Sequence, residues 1–257
     1  MTLTGASVTE AQASPTWFTE LFAHRRWIRR TGPFPHIYAR DIFVADFFQR
    51  LADHYARMRR ERIDRFRHVA DDGTTALGLS ELRDGPLALF TSAEWHDLIA
   101  GVTGVSATGD IAGSLRHHAP GSATGATDNG LAHARFAGNT PGPGEVRCHD
   151  DADSASGATR ETVRAVAMMF HLGNPGWRTG DGGELTLHAE STARGSATPA
   201  LTIPPLDNSM VAFECTPRSW HTFAGGNAAG RGSVTLWLHR PREEAVQRWG
   251  ADRIVQR

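Results

Sequence analysis

The stretch Arg147-Cys148-His149-Asp150-Asp151 is the one around which we expect the second half of this chain to fold. On a β-strand the side chains of residues i and i+2 point to the same face, so the pattern predicts that His149 and Asp151 reach one point in space. An imidazole nitrogen and a carboxylate oxygen together suit a divalent transition metal. Because His-x-Asp recurs by chance, a metal site also needs a third ligand from a distant strand.

His221 is the candidate for that third ligand. It follows the apolar run Met210 to Phe213 and precedes a glycine-rich turn, which predicts a strand, a turn and a returning strand. Arg231 stands ten residues later, and we expect its strand to lie beside the one that carries His221. A buried guanidinium needs an anionic partner, and a dicarboxylate supplies one through bidentate hydrogen bonds. Ser233 shares the face of Arg231 and is expected to bind the same carboxylate.

Short apolar runs separated by turn residues predict an antiparallel β architecture after Gly109. These runs are Val163 to Leu172, Glu184 to His188, Met210 to Cys215 and Ser233 to His239. Two stretches rich in glycine, serine and alanine, Pro120 to Gly130 and Ala152 to Arg160, are expected to be mobile lids over a barrel mouth, with disordered insertions as the alternative.

The first part of the chain predicts mainly helices. Apolar spacing predicts one helix from Trp17 to Trp27 and another from Val44 to Met58, with a short strand from His36 to Ala39 between them. A third helix is predicted to begin at Thr91, which forms a capping box with the glutamate three residues on, and to stop at Gly104.

Composition argues against several function classes. The net charge is −1, so no bulk field favours nucleic acid or an anionic membrane. All 27 residues counted as lysine plus arginine are arginine, which excludes Schiff-base and P-loop lysines. Two cysteines are too few for a disulfide framework, which predicts a cytoplasmic protein. No apolar run approaches the roughly 20 residues that span a bilayer, and residues 1–15 resemble a disordered tail rather than a signal peptide.

The second half of the chain resembles the 2-oxoglutarate- and Fe(II)-dependent dioxygenases, most closely the prolyl-4-hydroxylase-like branch. The residues that carry the resemblance are His149-x-Asp151, His221 and Arg231-x-Ser233, together with His171 to Trp177 and Asp181 to Leu187, which are similar to the YLN…W…GGEL segment of that branch. The resemblance covers residues 145–240.

This resemblance implies a mainly β fold with flanking helices, in which a double-stranded β-helix, or jelly roll, forms the core. It implies one domain over residues 16–257, divided into a helical support (16–108), the jelly-roll core (109–240) and a C-terminal helix (241–257). Iron would be held by His149, Asp151 and His221, and 2-oxoglutarate by Arg231 and Ser233. Dioxygen is the second co-substrate, ascorbate is a possible stimulant, and succinate and CO2 are the products.

The chain departs from that branch at the 2-oxoglutarate site. A tyrosine often precedes the His-x-Asp pair there, whereas the tyrosines of this chain are Tyr38 and Tyr55. Arg135 or another polar side chain is expected to replace it. His171 also stands where the branch often has tyrosine, and the segment from Ser114 to Gly144 matches poorly.

The expected function is hydroxylation of a small molecule, either a free amino acid or a natural-product intermediate. The chain has no recognisable peptide-binding repeat, and Arg147 and Arg178 are candidates to meet a substrate carboxylate. Asp151 favours hydroxylation because related halogenases lack this carboxylate. A peptidyl, prolyl-type hydroxylase stays open, as do a non-catalytic jelly-roll binding protein and a cupin-type metalloenzyme that does not use 2-oxoglutarate. The sequence is silent on the oligomeric state.

Overall fold

A computed structural model describes residues 15–24, 27–69, 73–151, 159–189 and 200–256. The predicted N-terminal tail lies outside these ranges up to residue 14, and so does the predicted lid from Ala152 to Arg160 over residues 152–158. No helix among the described residues is long and apolar enough to cross a membrane.

Strands dominate the described part of the chain. They are β1 (Ile28–Arg30), β2 (His36–Ala39), β3 (Arg67–His68), β4 (Thr74–Gly78), β5 (Thr108–His118), β6 (His133–Ala137), β7 (Arg147–Cys148), β8 (Thr159–Leu172), β9 (Leu185–Leu187), β10 (Leu201–Ile203), β11 (Ser209–Glu214), β12 (His221–Phe223) and β13 (Arg231–Pro241). The α-helices are α1 (Thr16–Thr19), α2 (Ala45–Glu61), α3 (Ala93–Thr103) and α4 (Arg242–Trp249), and short 3-10 helices lie at Ile63–Arg65, Leu79–Leu82, Pro86–Thr91 and Ala251–Arg253.

The strands form a large sheet and a small sheet. The large sheet has the order β1-β2-β11-β8-β13-β5-β4-β3, with β6 paired to β8 and β7 to β5, and the small sheet has the order β10-β9-β12. Side chains from both sheets, among them Met169 and Phe213 of the large sheet and Leu185 and Ile203 of the small one, pack in one buried cluster. The two sheets therefore enclose a barrel interior, which confirms the predicted double-stranded β-helix.

The helices cover the outer face of the large sheet. α2 buries Leu51 and Met58, and α3 buries Trp95 and Ile99, because their apolar residues recur at helical spacing. These side chains pack with Phe170 of β8 in a second buried cluster. Burying each such side chain contributes about 1.5–3 kcal/mol, so the helices stiffen the sheet from outside.

Two predictions at the helices are wrong in detail. The helix predicted from Trp17 to Trp27 ends at Thr19, because the chain turns there and Phe22 forms an isolated β-bridge with Phe43. The cap of α3 is Ser92, whose side chain accepts the Trp95 N–H, and not the preceding threonine. The stop at Gly104 is confirmed, in a left-handed conformation with φ of 70°.

The segment from Pro120 to Gly130 is not the open lid that its composition predicts. Its backbone bonds to β12 and to the turn that follows, with the Gly125 N–H donating to Phe223 O at 3.0 Å and the Gly121 N–H to Asn227 O at 2.8 Å. It therefore runs beside the small sheet as an extension of it.

Candidate active site

One face of β13 points into the barrel and carries polar side chains at alternate positions. Arg231 pairs across the ladder with His118 of β5, and Ser233 pairs with His171 of β8. Their exposed fractions are 4% for Arg231, 2% for His118 and 0% for His171 and Ser233. The large sheet thus places a guanidinium, two imidazoles and a hydroxyl together in the interior.

Several of these buried polar groups have no hydrogen-bond partner among the described residues. They are both ring nitrogens of His171, Nε2 of His118 and the hydroxyls of Ser233 and Thr235. Leaving such a group unsatisfied costs about 1–3 kcal/mol. A row of them along one barrel wall therefore indicates that the interior takes a polar ligand.

The electrostatics favour an anion. Burial, and next the nearby Arg231 guanidinium, lower the pKa of His118 to about 2 and of His171 to about 3. Both rings are neutral at neutral pH, so each offers one N–H donor. Gly183 leaves the guanidinium its space, since a Cβ there would lie 2.6 Å from Arg231 Nε. This donor set fits one carboxylate of a dicarboxylate ligand.

His221 lies in β12 and is buried. Its Nδ1 is 3.1 Å from Ser219 O, and its ring centroid is 5.1 Å from that of Phe213 in the barrel interior. The expectation that Arg231 lies one strand over is wrong, because β12 belongs to the small sheet and β13 to the large one. The two sheets face each other instead, and the Arg231 guanidinium lies 5.2 Å from the Phe223 ring centroid.

His149 and Asp151 do not share a strand face, contrary to the prediction. β7 ends at Cys148 and the chain turns, so that the Asp151 carboxylate accepts the Cys148 N–H at 3.0 Å. The same carboxylate accepts from Arg83 Nη2 at 2.5 and 2.7 Å. His149 is exposed and its ring centroid is 5.2 Å from that of Phe136. The turn after β7, rather than the alternation of a strand, therefore determines where the side chains of His149 and Asp151 point.

A buried ion pair anchors the segment that carries these residues. Asp110 of β5 is fully buried, pairs across the parallel ladder with Arg147 of β7, and accepts two hydrogen bonds from Arg160 at 2.7 and 2.8 Å. Arg160 also donates to Gly138 O at 2.7 Å. Arg147 uses one guanidinium nitrogen to donate to the backbone carbonyls of Ala137, at the end of β6, and Asn139, in the loop after it.

The structure does not assemble the predicted iron ligands. Among the described residues, no three histidine, cysteine, aspartate or glutamate side chains are placed to hold a metal ion. The residue bonded across from His221 is Asp128, with backbone N–O distances of 3.0 and 2.8 Å. The donor types of His149, Asp151 and His221 suit Fe(II), but their positions here do not form its site. The three ligands therefore stay a prediction.

The polar barrel wall is the part of the site that the sequence revealed least. The sequence alone marks no role for His118, and only its period-two relation to Arg116 and Ser114 on one strand places it on the inner face. His171 stands at a position where the branch often has tyrosine, and the sequence gives no further sign that it lies inside the barrel. Arg135 is mostly exposed and lies away from Arg231, beside the cavity that His149 lines.

A comparison with protein families supports this description. Residues 134–239 match the family described as the 2OG-Fe(II) oxygenase superfamily, and this range includes His149, Asp151, His221 and Arg231. The superfamily uses Fe(II), 2-oxoglutarate and dioxygen. No curated protein sequence matches the chain.

Solved structures show the same fold. A prolyl-4-hydroxylase from Pseudomonas putida is 18% identical, with a TM-score of 0.54 and coverage of 80% of this chain and 92% of that one. A prolyl hydroxylase from Trichoplax adhaerens, solved with a hypoxia-inducible-factor peptide, is 14% identical, with a TM-score of 0.55 and coverage of 82% and 86%. The non-heme α-ketoglutarate-dependent epimerase SnoN from nogalamycin biosynthesis is 9% identical, with a TM-score of 0.51 and coverage of 79% and 78%. The match over residues 134–239 and the fold, which is shared with prolyl-4-hydroxylases, both support the predicted superfamily of 2-oxoglutarate- and Fe(II)-dependent dioxygenases.

Proposed function

We propose that this dioxygenase hydroxylates a small molecule, a free amino acid or a natural-product intermediate, while it converts 2-oxoglutarate to succinate and CO2. The observation that carries the 2-oxoglutarate part is the buried polar wall of the barrel. An apolar β-barrel has no other reason to enclose a guanidinium beside two neutral imidazoles and two hydroxyls that lack protein partners among the described residues.

The wall binds and orients the co-substrate in this proposal. Arg231 holds the distal carboxylate of 2-oxoglutarate by charge-assisted hydrogen bonds, and the Ser233 hydroxyl donates to the same group. His171 and His118, which flank them on β8 and β5, complete the donor set in place of the tyrosine that the branch often uses. The burial of all four keeps water from competing for that carboxylate.

His149, Asp151 and His221 are the proposed ligands of iron. Their types suit Fe(II), and all three lie within the segment that matches the superfamily. The Asp151 carboxylate is paired with Arg83, so the arginine competes with a metal ion for its oxygens. The pair is partly exposed, so this exchange costs only about 0–1 kcal/mol.

The choice of a small substrate rests on the shape of the site. The cavity that His149 lines has a volume of about 460 Å³, which suits a ligand of metabolite size. A peptidyl substrate is the competing proposal, because prolyl hydroxylases are among the proteins with this fold.

Mass spectrometry separates the two substrate classes. The enzyme, supplied with Fe(II), 2-oxoglutarate and air, is incubated with a metabolite pool and, separately, with a protein extract, and each is scored for a gain of one oxygen. We expect a product in the metabolite pool, and none with the Arg231→Gln variant. A product in the protein extract alone would show that the small-molecule proposal is wrong.

A further inference from the structure

The polar cavity that His149 lines does not include Arg231 of the barrel wall. It has a volume of about 460 Å³, and the side chains that give it its character are His133, Arg135, Arg164 and His239. None of its lining residues, which all belong to the described part of the chain, is acidic. The cavity is therefore lined by guanidinium and imidazole groups.

An irregularity in the sheet aims Arg164 into this cavity. Trp237 of β13 pairs with Ala167 of β8, and regular alternation would then place Ala165 opposite His239. The register shifts between Leu238 and His239, so that Arg164 stands there instead. Bulges of this kind are a means by which sheets re-aim one side chain. Arg164 and His239 consequently face the same space from adjacent strands.

Trp237 fixes the position of the Arg164 guanidinium. The guanidinium carbon lies 3.7 Å from the Trp237 ring centroid, a close cation–π contact. Arg116 approaches the same ring at 5.4 Å but does not line the cavity. Two arginines thus share one tryptophan, and only one of them faces the cavity.

His239 supplies a buried donor beside that guanidinium. It is 0% exposed, its Nδ1 lies 3.0 Å from Thr162 Oγ1, and its Nε2 has no hydrogen-bond partner among the described residues. The Thr162 hydroxyl lies within reach of both Ala134 O, at 3.2 Å, and His239 Nδ1; in the tautomer in which it donates to Nδ1, the ring proton is on Nε2. Burial, and next the charge of Arg164, lower the pKa of His239 well below its usual value, so the ring is neutral. Glu161 lies outside the cavity lining, with its carboxylate 3.8 Å from Arg135 and 3.6 Å from His133.

We propose that this cavity binds a carboxylate of the primary substrate, held by the Arg164 guanidinium and the His239 Nε2–H. The inference rests on the proposed function and narrows it: the substrate is a small molecule with a free carboxylate, which lies beside the predicted iron ligand His149. A planar guanidinium and one N–H suit the two oxygens of a carboxylate. A peptide segment within a protein has no such group at its backbone.

Calorimetry with a matched pair of probes tests the site without turnover. Benzoate and benzamide have nearly the same shape and differ in charge, and each is titrated anaerobically into the protein loaded with Fe(II) and 2-oxoglutarate. We expect benzoate to bind and benzamide to bind at least roughly tenfold more weakly, as the loss of a charge-assisted hydrogen bond predicts.

Three variants locate the binding. Arg164→Gln and the cavity-filling Ala112→Leu should each weaken benzoate binding by roughly tenfold or more. Arg116→Gln removes the other arginine near Trp237, which does not line the cavity, and should leave benzoate binding within about twofold. Thermal unfolding checks that each variant is folded. Equal binding of the two probes, or benzoate binding that both cavity variants retain, would overturn the inference, and so would no binding of benzoate.

The same titrations in the Arg231→Gln variant distinguish a failure of this inference from a failure of the proposed function. That variant should lose 2-oxoglutarate and still bind benzoate. If 2-oxoglutarate fails to bind the unaltered protein while benzoate binding depends on Arg164, the proposed function is wrong and the anion site stands.

Discussion

Acidification should destabilise this protein through the two histidines of the barrel wall. In the folded state the pKa of His118 is about 2 and that of His171 about 3. In the unfolded chain both return to about 6.5. Because the unfolded chain binds more protons, stability is fully present above pH 6.5 and falls as the pH drops below it.

The size of the effect follows from the difference in proton binding. Lowering the pH from 7.5 to 5 costs about 1.4 kcal/mol per pH unit below the unfolded pKa, which is about 2 kcal/mol for each histidine and about 4 kcal/mol for the pair. A loss of this size is a large part of the free energy of unfolding of a typical folded domain, which is roughly 5–15 kcal/mol. Urea unfolding at pH 7.5, 6 and 5, without ligands, measures it.

A double variant, His118→Gln with His171→Gln, is the control. Other histidines, such as the half-buried His117 with a pKa lowered to about 4, titrate in both proteins. The double variant should therefore lose about 4 kcal/mol less between pH 7.5 and 5 than the unaltered protein. If the two proteins lose the same free energy, the histidines are not buried in neutral form, and the description of the barrel wall is wrong.

Three substitutions test other parts of the account. Arg231→Ala should weaken 2-oxoglutarate binding by about a hundredfold or more, because it removes one side of a buried charge pair, and it should leave the affinity for iron nearly unchanged. Calorimetry measures both affinities. If the variant binds 2-oxoglutarate and iron as the unaltered protein does, another cation is the anchor. Arg160→Met leaves Asp110 buried and unpaired, so urea unfolding should show a loss of about 3–5 kcal/mol, whereas a loss below about 1 kcal/mol would show that the pair is solvated. Arg83→Gln frees the Asp151 carboxylate and should raise Mn(II) affinity up to about fivefold; weaker binding would mean that Arg83 supports the metal site instead.

Local patterns in the sequence predicted the helices and strands that depend on interactions between residues close together in the chain. The apolar spacing from Val44 to Met58 gave the position of α2, and the β-rich runs after Gly109 matched β8, β9, β11 and β13. Gly104 ended α3 as predicted because its left-handed conformation suits glycine. The jelly-roll fold followed from these runs together with the family resemblance.

The failures involve contacts that are remote in sequence. The pairing of Phe22 with Phe43 interrupts a helical pattern that looks continuous by itself. The direction of Asp151 depends on Arg83, which comes 68 residues earlier. The register shift at His239, which aims Arg164, follows from the fit of β13 against two neighbours and leaves no mark in the alternation of either strand.

An anaerobic titration of the protein with Fe(II) and 2-oxoglutarate tests the central claim most directly. The account predicts a weak visible charge-transfer band that requires both ligands, because it arises only when 2-oxoglutarate binds the iron. The band should be absent with succinate in place of 2-oxoglutarate, and in His221→Ala, which lacks a proposed iron ligand. A protein that stays colourless with both ligands present, or a band that His221→Ala retains in full, would contradict it.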